Sequence, residues 1–191
     1  MRYGIYKGLR DSAWRCLKDN KVSSLPVDVL GIAKLCGIRV IKNTQVNVLT
    51  PKENGRSFFD GDEWFIIYND LNPIEISRFT IAHELGHFFL GHELAHVKYS
   101  DIKQFSPKPK SEQQADMFAA RLLCPACVLW ALNLHTVKDI TNYCKVPLEI
   151  AQTRSERMKE LYKRNKFLTN PLEKEVYNNF VDNIRNINRS L

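Results

Sequence analysis

Apolar residues recur at helical spacing from the start of the chain, where Tyr6, Leu9, Ala13, Trp14 and Leu17 mark one side of a helix over residues 3–20. Pro26-Val27-Asp28 opens a second helical pattern, and Gly37 closes it, since glycine readily takes the left-handed conformation that ends a helix. Ile38 to Ile41 reads as a short strand. Ser57 to Tyr68 reads as a hairpin, with Asp60-Gly61 between two aromatic and β-branched runs. Asn72-Pro73 supplies an N-cap and a first helical residue for a helix running to about Leu90. Ile74, Phe79, Ile81, Ala82, Leu85, Phe88 and Phe89 leave that helix little polar face, which predicts a place in the interior.

Tyr99 to Ser111, lysine-rich and broken by Pro107 and Pro109, reads as an exposed connection. Glu112 to Leu123 is predicted helical, with Ala115, Phe118, Ala119 and Leu122 on one side and a stop before Pro125. Val137 to Cys144, the turn Lys145-Val146-Pro147, and Leu148 to Arg164 form a helical pair with a tight connection. Asparagine and charge dominate residues 165–191, with one further helix predicted from Pro171 to Ile187. Short strands set among longer helices predict an α+β fold. It is mostly helical, a single domain with a small antiparallel or mixed sheet and a C-terminal helical extension.

The composition is that of an ordinary globular chain: 191 residues, 44% apolar and 26% charged, which excludes disorder and a disulfide-stapled miniprotein. Five cysteines, an odd number without framework spacing, predict reduced thiols and a cytoplasmic location, and Met1 to Arg10 lacks the apolar stretch of a secretory signal. The longest apolar run, Leu122 to Leu132, contains Pro125 and falls well short of the roughly 20 residues a bilayer requires, so no membrane partner is expected. Of the net charge of +7, +4 falls in residues 131–191; this permits weak nucleic-acid contact there, though a solvated basic surface is the better explanation.

The sharpest chemical feature is His83-Glu84-Leu85-Gly86-His87 within the predicted interior helix. Imidazoles at i and i+4 leave a helix from the same face and can grip one Zn²⁺ at about 2.0–2.1 Å. Two imidazoles and a carboxylate on an apolar helix would cost several kcal/mol to bury without partners, and a bound cation offsets that cost. Chance produces such a pentapeptide in under about 1% of random orderings of this composition, so accident is the weaker explanation. Glu84, one residue off the face of the histidines, is placed to take a proton from a zinc-activated water and pass it to a leaving amine.

A catalytic zinc keeps three protein ligands. The near candidates for the third are His92 and Glu93, but a metzincin pattern would need glycine at 90 and histidine at 93, where this chain has Leu90 and Glu93. Glu112, with Asp116 one turn further on the same face, is the better choice. Asp116 then accepts a hydrogen bond from the far nitrogen of His83 or His87, although the two acids could exchange roles. Tyr99, His92 and His96 are candidates for oxyanion or substrate contacts, with nothing in their spacing to choose among them, and His135 is read as structural.

Two other readings compete. Cys124-Pro125-Ala126-Cys127 has the spacing of a redox pair, but it ends a helical run instead of following a strand, which favours packing. A second zinc there would need further ligands, with only Cys144 in view. Arg154, Arg157, Lys159, Lys163 and Arg164 on the second helix of the helical pair could read DNA and make the protein a zinc-holding regulator that acts by binding, without proteolysis.

The chain resembles the ImmA/IrrE metallo-endopeptidases of bacteria and their mobile elements over about residues 22–165. The resemblance is carried by Pro26-Val27-Asp28 through Gly37-Ile38-Arg39-Val40, and by Arg78-Phe79-Thr80-Ile81-Ala82 running into His83-Glu84-Leu85-Gly86-His87. Glu112, Ala115-Asp116, Phe118-Ala119, Leu122-Leu123 and Pro125 complete it. It implies a zincin-like catalytic core; the chain is read as that core over residues 1–135, the helical pair (136–165) packed on it, and a partly helical tail (166–191). The resemblance further implies zinc on His83, His87 and Glu112 with Glu84 as base, and a protein substrate. Members of the family cleave or otherwise inactivate helix-turn-helix repressors, releasing mobile-element or stress-response genes. The Cys124 to Cys127 thiols depart from the family pattern, and the final 26 residues lie outside it.

Overall fold

The computed structural model describes residues 3–92 and 109–190. The fold is α+β and zincin-like, mostly helical with one small mixed sheet. Its described residues form two compact units, residues 29–119, and residues 1–28 together with 120–191.

In the unit of residues 29–119, α2 (Val29–Leu35) buries Val29, Ile32 and Ala33 and ends before Gly37 (φ +70°). The sheet has the order β1-β3-β2, with β1 (Ile38–Lys42) parallel to β3 (Trp64–Tyr68) and β2 (Gly55–Phe59) antiparallel to it. A short helix, α3 (Asn43–Val46), follows β1. Central β3 buries Phe65, Ile66 and Ile67 in succession, as a strand covered on both faces must. At the hairpin, Asp60 Oδ1 accepts the backbone N–H groups of Asp62 and Glu63, both at 2.9 Å, which fixes the turn and with it the register. Phe58 lies opposite Phe65 with their rings stacked at 5.1 Å.

Helix α4 (Ile74–Leu90) packs on β2, β3 and α2, and buries polar as well as apolar residues, Thr80, Glu84 and His87 among them. Its start corrects the expectation for Asn72-Pro73. Pro73 itself occupies the N-cap with extended backbone and no side-chain cap, while Asn72 Nδ2 donates to Asn54 Oδ1 at 3.0 Å. Proline lacks an N–H and the residue before it avoids helical angles, so the helix begins one residue later than predicted. The first ten residues of α5 (Lys110–Leu123) complete this unit.

In the other unit, α1 (Tyr3–Asp19) buries Leu9, Ala13, Trp14 and Leu17, and packs on α9 (Pro171–Ser190), whose Val176, Phe180 and Ile184 are buried. Between them in sequence lies a helix the apolar period did not reveal, α6 (Ala126–Ala131), buried almost throughout. Helices α7 (Val137–Cys144) and α8 (Leu148–Arg164) form the expected pair. Thr136 and Asp139 cap α7 reciprocally, and Lys145 (φ +51°) ends it. Two of the five basic residues on α8 turn inward: Arg154 Nε donates to the Cys124 carbonyl at 2.8 Å, and the Arg157 guanidinium lies 5.1 Å from the Tyr6 ring centroid. Ser155 Oγ donates to the His135 carbonyl at 2.7 Å, and the His135 ring meets Tyr162 edge-on.

Cys124 and Cys127 are fully buried free thiols, and burial pushes Cys127 up to about 12. A thiol held there carries no thiolate at neutral pH. Iodoacetamide at about pH 8 should therefore leave both cysteines intact in the native protein and alkylate all five after denaturation, as read by peptide mass mapping. Rapid native modification of Cys127 would reopen redox chemistry.

Candidate metal centre

His83 and His87 stand one turn apart on α4, with their Nε2 atoms 3.1 Å from one another. Glu112, in the first turn of α5 where the helix N-terminus favours an anion, faces both. Its Oε2 lies 3.2 Å from His83 Nε2, and its Oε1 lies 3.2 Å from His87 Nε2. Ligands held 2.0–2.1 Å from one tetrahedral ion are about 3.3 Å apart, so the three side chains are spaced as a single small cation requires. No other group of this kind occurs among the described residues.

The approach of α4 to α5 depends on Gly86. A Cβ at that position would lie 3.1 Å from Ala115 Cα, 3.2 Å from Ala115 O and 3.2 Å from Phe118 Cδ1. Ala115 is fully buried and stands three residues after Glu112, so the close contact is directly beneath the ligand side chains. Phe89 stacks on Phe118 at 5.7 Å and extends the same interface.

Asp116 Oδ1 accepts from His83 Nδ1 at 2.8 Å, so the two acids divide their roles: Glu112 faces the Nε2 atoms and Asp116 the far side of His83. Glu84 is 8% exposed, and Ser57 Oγ at the centre of β2 donates to its Oε2 at 2.6 Å. His92 lies beside His87. Its Nδ1 lies 3.2 Å from His87 Nδ1 and its Nε2 lies 2.9 Å from Gln114 Oε1. Tyr99 and His96, the other suggested substrate contacts, and Glu93 lie outside the described residues.

Residues 34–156, more than half of the chain, match the IrrE N-terminal-like domain, the M78 peptidase family. The chain belongs to this metallopeptidase family. No curated protein matches it closely enough to count as a relative. The metallopeptidase match begins within α2 and ends within α8, so it takes in the whole sheet, α4 and α5.

The donor set of this metallopeptidase suits a divalent metal. With its Nδ1–H given to Asp116, a neutral His83 presents a lone pair at Nε2, and that lone pair confronts Glu112 Oε2, a carboxylate oxygen that can only accept. Acceptors meeting acceptors at 3.2 Å need a cation between them. Without a metal a proton takes this place. Burial alone would lower the His83 pKa, but the hydrogen bonds it donates to Asp116 and Glu112 outweigh it and raise it to about 9. Through the same contacts, His83 and then His87 hold Glu112 well below the usual carboxylate range.

A metal entering the site must displace that proton. Zinc affinity should thus rise about tenfold per pH unit up to about pH 9 and weaken as the pH falls. Chelator-competition titrations at about pH 6, 7 and 8 measure the slope, and a flat profile would contradict the arrangement. Gly86→Val, which puts branched carbon atoms where only hydrogen fits, is expected to destabilise the fold by about 1–3 kcal/mol in chemical denaturation and to weaken zinc binding with it.

Proposed function

We propose that the protein is a zinc-dependent endopeptidase of the cytoplasm that hydrolyses a peptide bond in a helix-turn-helix transcriptional repressor, relieving repression of mobile-element or stress-response genes. The observation that carries the reading is the meeting of two imidazole Nε2 atoms and both oxygens of Glu112 within 3.1–3.2 Å, beside a buried glutamate on the same helix. The resemblance to the ImmA/IrrE endopeptidases supplies the substrate class. Among the described residues no helix is long and apolar enough to cross a membrane.

His83, His87 and Glu112 would hold the zinc, which when bound would supply a Lewis acid for a scissile carbonyl and a water acidic near neutral pH. Asp116 keeps the proton of His83 on Nδ1 and so keeps Nε2 for the metal. Glu84 takes the proton of the attacking water and returns it to the leaving amine. Ser57 fixes one carboxylate oxygen of Glu84, which leaves the other to do this work.

Co-expression with the protein encoded by the adjacent gene, followed by intact-mass spectrometry, tests the proposal. A cut product should appear and should vanish with a chelator. Glu84→Gln should slow its formation by about 10²–10⁴-fold while zinc stays bound, and His83→Ala should lose both zinc and cleavage. Proteolysis unchanged in either variant refutes the mechanism. An intact but tightly held partner would instead identify a zinc protein that acts by sequestration.

A further inference from the structure

Beyond Leu90 the chain reverses at Gly91 (φ +62°), where the Gly91 N–H donates to the Phe88 carbonyl at 3.2 Å and the His92 N–H to the His87 carbonyl at 3.1 Å. This is the Schellman way of ending a helix. It brings the side chain after the glycine onto the side chain five residues earlier, usually through an apolar contact. In this chain both are histidines. Their rings meet edge-on with centroids 5.1 Å apart and Nδ1 atoms 3.2 Å apart, and the far nitrogen of His92 reaches Gln114 Oε1 on α5 at 2.9 Å.

A neutral imidazole has one N–H and one lone pair, so a file of such contacts has a single consistent arrangement of protons once its end is set. Gln114 Oε1 accepts. His92 must then carry its hydrogen on Nε2 and present a lone pair at Nδ1, which obliges His87 to donate from its own Nδ1. The Nε2 of His87 is left with a lone pair, aimed at His83 Nε2 and Glu112 Oε1. We propose that His92 and Gln114 are positioning residues that fix the tautomer of His87, so that the end of α4 is itself a part of the metal site. His83 has its own anchor in Asp116, and each imidazole is oriented independently of the other.

The inference rests on His83, His87 and Glu112 being metal ligands, and the test separates the two. Zinc affinity of the full chain is measured by chelator competition for the wild type, His92→Leu, His92→Asn and Gln114→Leu, with circular dichroism to establish folding. His92→Leu should bind zinc about 10–100-fold more weakly. His92→Asn should recover most of the loss, because its amide oxygen can accept where Nδ1 did, and Gln114→Leu should fall between. Long-range proton–nitrogen spectra of the zinc-loaded wild type should show the His87 hydrogen on Nδ1 and the His92 hydrogen on Nε2. A folded His92→Leu protein of wild-type affinity, a His92→Asn protein as weak as it, or a His92 hydrogen on Nδ1 would each overturn the proposal. Where His92→Leu does not fold, the wild-type spectra and Gln114→Leu decide. A wild type that takes up no zinc would sink the metal reading and this inference together, whereas a zinc-binding wild type matched by every variant would sink this inference alone.

Discussion

Two helices carry the three side chains that could hold a metal ion, and the distance between those helices is set by the absence of a side chain at Gly86. Ala115 Cα and its carbonyl occupy the space a Cβ would need, so α4 and α5 approach more closely than larger residues allow. A carboxylate has short reach. Glu112 meets both imidazoles because it stands about one turn before the contact at Ala115, and a wider separation would leave it bonded to water. The glycine of the pentapeptide is therefore a packing requirement, as the histidines are a chemical one.

The same closeness makes the site expensive to fold without a cation. Two imidazoles and a carboxylate share a mostly buried space, and the fold sets Asp116 against His83, His92 against His87 and, beside them, Ser57 against Glu84, with the centre left to whatever charge enters it. Metal binding and stability are then linked, since any species bound only by the folded chain stabilises that chain. Protons compete for this role, since Asp116 and Glu112 raise the basicity of His83.

Much of this was legible in the residues. The i, i+4 histidines, Glu112 and the helical pair followed from spacing, because amphipathic periods and metal-ligand geometry both leave regular marks. Other parts left none. Helix α6 is apolar on every side, so it had no polar stripe to betray its period, and it follows Pro125 in a run that reads equally as buried loop. Ser57 is one small polar residue in a strand, and its meeting with Glu84 appears only when the sheet is laid against α4. His92 stands five residues from His87, off the helical repeat; the left-handed turn at Gly91 is what brings the two rings together. Asn72 misled because its capping chemistry is sound in isolation and was drawn off by Asn54, a partner distant in sequence.

The pairing of β2 with β3 has a consequence for errors of folding. Side chains alternate across a strand, so shifting β2 by a single position would withdraw the serine hydroxyl and offer Glu84 the neighbouring arginine or phenylalanine instead. Asp60, at the bend, guards against this slip. A mispaired chain would thus lose the one hydrogen bond by which the sheet holds the Glu84 carboxylate.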